Sequence, residues 1–274
     1  MIENLNGIQL KLLEMFKWYH EFCVDNNLKY YALGGTMLGA IRHKGFIPWD
    51  DDIDVGMPRD DYNKFIELTC NKKFGKYIVE SIYDNNPDYY YGYSKIYDTS
   101  TTLIEKTRIN IKRGVYIDLF PLDGICNDEK AINKTYLPIY YRYQLIVARS
   151  CAILARRSKL KNLVIVIARL IPTWIINDKK LIINIDKMCS KHSFDKCNYV
   201  GNLLGNWGKK EIMPREVFGN PILYKFENIE IFGVEEPDEY LKLLYNDWKK
   251  LPPVEKQVSL HDAIDMDLNK SYLE

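Results

Sequence analysis

The stretch that decides the fold is residues 31–57, which read YALGGTMLGAIRHKGFIPWDDDIDVGM. Its apolar start, Tyr30 to Leu33, predicts a strand. Gly34 and Gly35 follow, and they allow the backbone to turn sharply and to approach a ligand closely. Thr36 is expected to cap a short helix that ends at Arg42. The free N–H groups at the start of such a helix, together with its positive dipole end, favour the binding of a phosphate.

The same stretch ends in an acidic cluster that includes Asp52 and Asp54. If residues 52–55 form a strand, these two carboxylates share one face, while Ile53 and Val55 point to the core. Such a pair suits Mg²⁺, which binds one or two carboxylates plus substrate phosphates, and Mn²⁺ can substitute. An acidic cluster alone also fits a solvated turn before the next helix. After a strand, a Gly-Gly turn and a helix, it favours metal-assisted chemistry on a phosphate.

The order of these features resembles a known family. Gly34-Gly35-Thr36 followed by Asp52-Ile53-Asp54 is similar to the signature of the nucleotidyltransferase fold. The whole string from Gly34 to Asp54 resembles the LicD family of bacterial phosphocholine transferases, which are related to fukutin-type ribitol-phosphate transferases. The resemblance covers residues 1–125 strongly and residues 200–261 weakly. It implies an α+β fold in which a nucleotidyltransferase-like mixed sheet is flanked by helices.

Three parts of the chain are expected from this resemblance and from composition. Residues 1–125 form the catalytic core with an N-terminal helix, residues 126–200 form a basic and apolar helical insertion, and residues 201–274 complete the catalytic unit. Periodicity predicts helices over residues 5–24 and 59–70, and strands over residues 77–82, 89–97 and 101–105.

A third acid, Asp118, is embedded in the apolar run from Arg113 to Pro121, which reads as a central strand. A carboxylate in such a strand is costly unless a metal or a partner neutralises it. The resemblance implies that Asp118 completes the catalytic site, either as the base that takes the acceptor's proton or as a third metal ligand beside Asp52 and Asp54. The alternative is an aspartate that is bonded to a loop backbone.

The resemblance also implies a set of substrate contacts. Gly34, Gly35 and Thr36 would hold phosphate, and Arg42 or Lys95 would supply positive charge. Aromatic faces for a quaternary ammonium could come from Trp49 and from the tyrosines at positions 89, 90, 91 and 93, although tyrosines on strands more often pack. The implied donor is CDP-choline or another CDP-alcohol. The implied acceptor is a lipid-linked or oligosaccharide hydroxyl of an envelope glycan, such as teichoic acid or lipopolysaccharide, and CMP leaves.

Two other functions stay open. One is transfer of a nucleotidyl group with release of pyrophosphate, as in the wider fold. The other is a non-catalytic, membrane-associated protein that binds nucleotide or glycan, which has no need of three acids in one site. His261 is either a substrate contact or a residue of the C-terminal tail, and its spacing does not decide between them.

Residues 130–177 contain nine basic residues and no acidic ones. The apolar runs between these charges are too short to span a bilayer, which takes about 20 residues. Helices of this kind can lie on an anionic membrane surface with their basic residues at the headgroups. The alternative is a helical subdomain whose basic face is solvated or holds an anionic substrate.

Composition limits the remaining classes. The formal net charge of +1 gives no argument for nucleic-acid binding, and 47% hydrophobic residues are enough for a sizeable core. The six cysteines are scattered, and the residues that follow Met1 do not resemble a signal peptide. We therefore expect a reduced, cytoplasmic protein that can associate peripherally with the inner face of the cytoplasmic membrane.

Overall fold

The computed structural model of the chain describes residues 6–84, 86, 89–125, 129–154, 157–258 and 263–274, and it describes only the backbone of residues 129–131 and 263. Met1 and His261 lie outside these residues, as do residue 5, where the first predicted helix begins, and Arg156, one of the nine basic residues of 130–177.

In the part of the chain that the structure describes, helices and strands alternate up to the third helix, six consecutive strands follow, and three long helices come after the longest of these strands. The helices are α1 (Gly7–Asp25), α2 (Gly34–Arg42), α3 (Arg59–Thr69), α4 (Glu129–Ser150), α5 (Lys159–Leu170), α6 (Asp178–Cys189), α7 (Arg215–Phe218) and α8 (Pro237–Tyr245). The strands are β1 (Tyr31–Ala32), β2 (Asp54–Pro58), β3 (Lys73–Phe74), β4 (Tyr77–Glu80), β5 (Ser94–Asp98), β6 (Thr102–Glu105), β7 (Ile111–Arg113), β8 (Tyr116–Ile125), β9 (Tyr199–Gly201), β10 (Ile212–Pro214), β11 (Ile222–Phe226), β12 (Ile229–Gly233) and β13 (Ala263–Asp267). Short 3₁₀ turns cover Phe194–Lys196, Gly208–Glu211 and Val254–Lys256.

The main sheet has the strand order β1-β2-β8-β5-β4-β3, and β9 and β10 extend it from the far end of β8. Strands β2 and β8 run parallel, whereas the other neighbours are antiparallel, so the sheet is mixed. Along β2 and β8, alternate residues such as Val55, Ile117 and Leu119 are fully buried. This alternation turns the residues between them to the other face of the sheet. The predicted α+β fold with a mixed sheet flanked by helices is confirmed.

Helix α1 covers the apolar face of this sheet. It begins with a capping box in which Asn6 and Gln9 bond each other's backbone N–H groups. Leu12, Phe16 and Tyr19 lie on one side of the helix and are completely buried. Burial of a large apolar side chain contributes about 1.5–3 kcal/mol each. The helix predicted over residues 5–24 is therefore present, and it stabilises the sheet that carries the acidic residues.

The helical insertion packs on the core. Helices α4 and α6 bury a second apolar cluster that includes Ile139, Ile146 and Ile182. A buried ion-pair network joins this region to the sheet: the Arg59 guanidinium donates to both carboxylate oxygens of Asp123 (2.7 and 2.6 Å) and to Asp186 on α6 (2.8 Å). Within the described residues, no helix is both long and apolar enough to cross a membrane.

Three elements differ from the sequence-based expectation. Helix α2 begins at Gly34, so Thr36 lies inside the helix and does not cap it. The sequence Met57-Pro58 predicts a break in the strand, but β2 continues through Pro58. This is possible because β1 pairs only with Val55 and Gly56, so no N–H of residue 58 is needed there. The tyrosine-rich run before Ser94 stands outside the strand that follows it, since its rings pack against Lys95 and the second apolar cluster.

Candidate active site

Two adjacent parallel strands bring the predicted acids together. Asp54 begins β2, and it lies directly opposite Asp118 of β8 in the parallel register. The Asp118 N–H donates to the carbonyl oxygen of Ile53 (3.0 Å), which fixes that register. Asp52, Asp54 and Asp118 all line one cavity of about 250 Å³. The structure therefore places all three acids that the sequence predicted on the same cavity.

Asp54 lines this cavity in an electrostatically unfavourable environment. Its backbone N–H donates to the Thr36 hydroxyl (2.9 Å), so Thr36 positions Asp54 from behind and does not line the cavity. Burial raises the pKa of Asp54 well above its usual range, and the nearby carboxylates of Asp52 and Asp118 raise it further. No lysine or arginine of the described residues forms an ion pair with Asp54. A cation bound here would relieve this repulsion.

Asp118 already has a cationic partner. The ammonium of Lys95, on β5, lies 2.9 Å from Asp118 Oδ1 and 3.9 Å from Glu105 Oε1. Only 1% of the Lys95 side chain is exposed. Burial raises the pKa of Asp118 above its ordinary value, and the Lys95 charge opposes that rise. Lys95 therefore places its positive charge beside Asp118 and is absent from the cavity lining, and its predicted contact with substrate stays a prediction.

The Lys95 ammonium also lies over aromatic rings. It is 3.3 Å from the ring centroid of Tyr116, 4.4 Å from that of Tyr91 and 5.8 Å from that of Tyr93. Tyr91 and Tyr93, which the sequence suggested as contacts for a quaternary ammonium, thus lie around the ammonium of Lys95. Tyr93 also lines the cavity, where its ring packs on Phe120 at 4.3 Å between centroids.

The donor atoms fit a magnesium ion held by two carboxylates. Among the described residues, no three His, Cys, Asp or Glu side chains form a group able to hold a metal. Asp52 and Asp54 face one cavity, and the raised pKa of Asp54 reflects an excess of negative charge. Mg²⁺ requires only one or two protein carboxylates when substrate phosphates complete its shell. The third predicted ligand, Asp118, is paired with Lys95 through Oδ1, and its role as a ligand stays a prediction.

The sequence comparisons agree with this geometry. A family model described as LicD/FKTN/FKRP, nucleotidyltransferase domain, matches residues 27–149. The chain is 33% identical over 263 residues to the lipopolysaccharide cholinephosphotransferase LicD of Haemophilus influenzae, and the match covers 94% of this chain and 96% of that protein. The chain belongs to the LicD family. Two uncharacterized proteins, from Rickettsia typhi and Rickettsia prowazekii, are 44% identical over 59 residues and 48% identical over 52 residues, about a fifth of either chain in each pair.

In this LicD-family chain, the glycine turn brings the start of α2 close to the acids. Gly34 has a φ of +50°, a left-handed conformation that strains any other residue. Its N–H donates to the Tyr240 hydroxyl (3.0 Å), so this amide is already bonded. A Cβ on Gly35 would lie 2.7 Å from Asp50 Oδ2. Gly34 and Gly35 line the cavity, but neighbouring side chains occupy part of the phosphate cradle that the sequence predicted.

Two predicted substrate contacts lie elsewhere. Arg42 is at the opposite end of α2 from Gly34, about 12 Å along the helix axis, and its guanidinium donates to the Trp248 carbonyl (3.0 Å) and to His43. Trp49 packs against the main core, with its ring 6.3 Å from that of His43. Neither residue is among those that line the cavity.

Part of the cavity wall comes from the C-terminal part of the chain, for which the sequence predicted no site residue. Trp207 and Tyr245 pack edge to face at 5.0 Å between ring centroids, and Tyr240 lines the wall beside them. The Glu211 carboxylate accepts the backbone N–H of Trp207 (2.8 Å). Burial raises the pKa of Glu211 to about 7. In the sequence, the only indication of these residues is the weak resemblance of residues 200–261 to the LicD family.

Proposed function

We propose that this protein is a Mg²⁺-dependent transferase that moves phosphocholine from CDP-choline to a hydroxyl of an envelope glycan and releases CMP. The observation that carries the proposal is one cavity whose lining contains both the three acids, Asp52, Asp54 and Asp118, and an aromatic wall that includes Trp207 and Tyr245. Family membership and the name of the Haemophilus relative support choline phosphate as the group that is moved and lipopolysaccharide as a class of acceptor.

The acidic side of the cavity would perform the phosphoryl transfer. The acceptor oxygen attacks the phosphorus that bears choline, and the bond from that phosphorus to the bridging oxygen of CMP breaks. A Mg²⁺ ion held by Asp52 and Asp54 would supply positive charge for the diphosphate and the departing CMP. Asp118 takes the proton of the acceptor hydroxyl. Lys95 holds Asp118 Oδ1 at 2.9 Å and so fixes the orientation of that base.

The aromatic side of the cavity would recognise choline. A quaternary ammonium cannot donate a hydrogen bond, but it interacts with the face of an aromatic ring with a favourable free energy of about 0.5–2 kcal/mol. Trp207, Tyr240 and Tyr245 present such faces, and the carboxylate of Glu211 lies in the same wall. Because Tyr91 and Tyr116 already surround Lys95, this wall is the better candidate for the choline subsite.

A donor panel tests the proposal. The protein is incubated with Mg²⁺, lipopolysaccharide and, in turn, CDP-choline, CDP-ethanolamine, CDP-ribitol and CDP-glycerol, and CMP is measured. We expect CDP-choline to be consumed fastest, no turnover after chelation of Mg²⁺, and no turnover by Asp54→Asn. The matched control Asp60→Asn changes an exposed acid on α3 and retains activity.

Two outcomes would contradict the proposal. Release of pyrophosphate from CTP would favour the alternative reaction, nucleotidyl transfer, to which the description of the matched family domain also points. Binding of the donors without any consumption would favour a non-catalytic role.

A further inference from the structure

Helix α5 exposes an apolar face. Leu160, Leu163, Val164, Ile167 and Leu170 are exposed by 53–74% of their surface. Their spacing places them on one side of the helix, and Ile165 and Ala168 on the other side are buried. The segment that follows adds Trp174, which is 83% exposed. Exposed apolar residues scattered singly are ordinary, but a contiguous face of this size marks an interaction surface.

Hydrogen bonds between arginine side chains and backbone carbonyls fix the orientation of this face. The Arg149 guanidinium, on α4, donates to the carbonyl oxygens of Ala168 (2.7 Å) and Ile171 (2.8 Å) at the end of α5. Arg169 donates to the carbonyl of Cys151, and Arg157 donates to that of Ala152. The bonds of Arg149 and Arg169 hold α5 against the end of α4 and keep its apolar side outward, whereas the Arg157 bond lies within the connection between the two helices. These arginines are therefore structural, contrary to the expectation that the basic residues of this segment face headgroups.

The basic residues around the apolar face of α5 indicate which kind of partner it binds. The exposed lysines Lys159 and Lys161 lie at the start of α5, and residues 130–177 contain no acidic residue. Within the segment, Arg149 is paired with Asp178, but a second copy of the chain docked face to face would bring the exposed lysines of two α5 helices together. An anionic lipid surface instead neutralises them while it buries the apolar side chains, which is how amphipathic helices lie in a bilayer interface. Tryptophan is also enriched at that depth.

We infer that the outward face of α5, with Trp174, docks this protein on an anionic bilayer surface. The helix lies in the interface and does not span it. Helix α4, on which α5 packs, contributes Tyr143, Gln144 and Val147 to the lining of the active-site cavity. Docking through α5 therefore holds the cavity next to the membrane. The inference stands independently of the proposed reaction.

The experiment is sedimentation of the full chain with phosphatidylcholine vesicles, with and without phosphatidylglycerol, at low and high salt. We expect binding only to the anionic vesicles, reduced by salt. Leu163→Gln with Ile167→Gln should weaken binding more than tenfold, because it removes two apolar side chains from the face. Lys159→Gln and Lys161→Gln should weaken it about fivefold each. The control pair, Leu251→Gln with Val258→Gln, changes two residues of similar exposure (51% and 54%) outside the helical segment and should bind as the wild type does.

A second measurement begins with the native protein, so its first result does not depend on the folding of a variant. Addition of anionic vesicles should shift tryptophan emission to the blue, and Trp174→Phe should remove that shift. Absence of both sedimentation and shift would overturn the inference. It would also be overturned if ultracentrifugation showed a concentration-dependent dimer that Leu163→Gln with Ile167→Gln abolishes, without vesicle binding, since the face would then join two copies.

Discussion

Replacement of Lys95 by methionine removes the cation that neutralises Asp118 in the core. The Lys95 side chain is 1% exposed, and its ammonium lies 2.9 Å from Asp118 and over the ring of Tyr116. Loss of one partner of a buried ion pair leaves the other uncompensated, which costs about 3–5 kcal/mol. Because whole domains are stable by only about 5–15 kcal/mol, Lys95→Met should remove a large fraction of the free energy of unfolding.

The assay is urea unfolding followed by circular dichroism, in a double-mutant cycle with Asp118→Leu. The double variant should lose at least about 2 kcal/mol less than the sum of the two single variants, because neither charge is then left alone. The matched control, Lys17→Met, breaks an exposed pair with Glu21 at 3.9 Å and should cost less than about 1 kcal/mol. If Lys95→Met costs no more than this control, or if the two single losses simply add, the assigned role of the pair is wrong.

The pH dependence of this loss has a definite sign. Burial raises the pKa of Asp118, and Lys95 opposes that rise, so Lys95→Met should raise the pKa further. A carboxyl with a folded-state pKa above its unfolded value of about 3.9 destabilises the fold as the pH rises between the two values. The deficit of Lys95→Met should therefore be smallest near the unfolded pKa and largest at neutral pH.

Three further predictions concern the cavity. Asp54→Asn should leave the melting temperature unchanged or raised, because it removes a repelled carboxylate, and Mg²⁺ with CDP-choline should then stabilise the variant less than the wild type in a thermal shift assay. Choline should bind more tightly to the wild type as the pH rises through about 7, since a bound cation favours the ionised form of Glu211, and titration calorimetry should show no such change in Glu211→Gln. Trp207→Leu should weaken the binding of CDP-choline by about 0.5–2 kcal/mol. It should not weaken the binding of CDP-glycerol, which carries no quaternary ammonium for the indole ring to bind.

Local periodicity predicted the acidic strands well. The alternation of Asp52, Ile53, Asp54 and Val55 correctly placed Ile53 and Val55 in the core, and their exposures are 1% and 0%. The same argument placed Asp118 in a central strand, where it pairs with β2. Both predictions rest on the two-residue repeat of a strand, which a single sequence shows directly.

Contacts between distant elements could not be predicted in this way. The pairing of Lys95 with Asp118 depends on the register of β5 against β8, and nothing local in either strand specifies that register. The aromatic wall reaches the acids only because the C-terminal part of the chain folds back over the start of α2, where Tyr240 accepts the Gly34 N–H. The tyrosines before Ser94 favoured a strand by propensity, but tertiary packing around a buried lysine prevailed.

The most direct test of the central claim is to follow both ends of the transferred group. CDP-choline is labelled with ¹⁴C in choline and with ³²P in the phosphate that bears choline, and it is incubated with the protein, Mg²⁺ and lipopolysaccharide. The proposed reaction predicts that both labels reach the glycan in equal amounts, with one CMP released for each phosphocholine transferred. Arrival of cytidine on the acceptor, or of choline without its phosphorus, would contradict it.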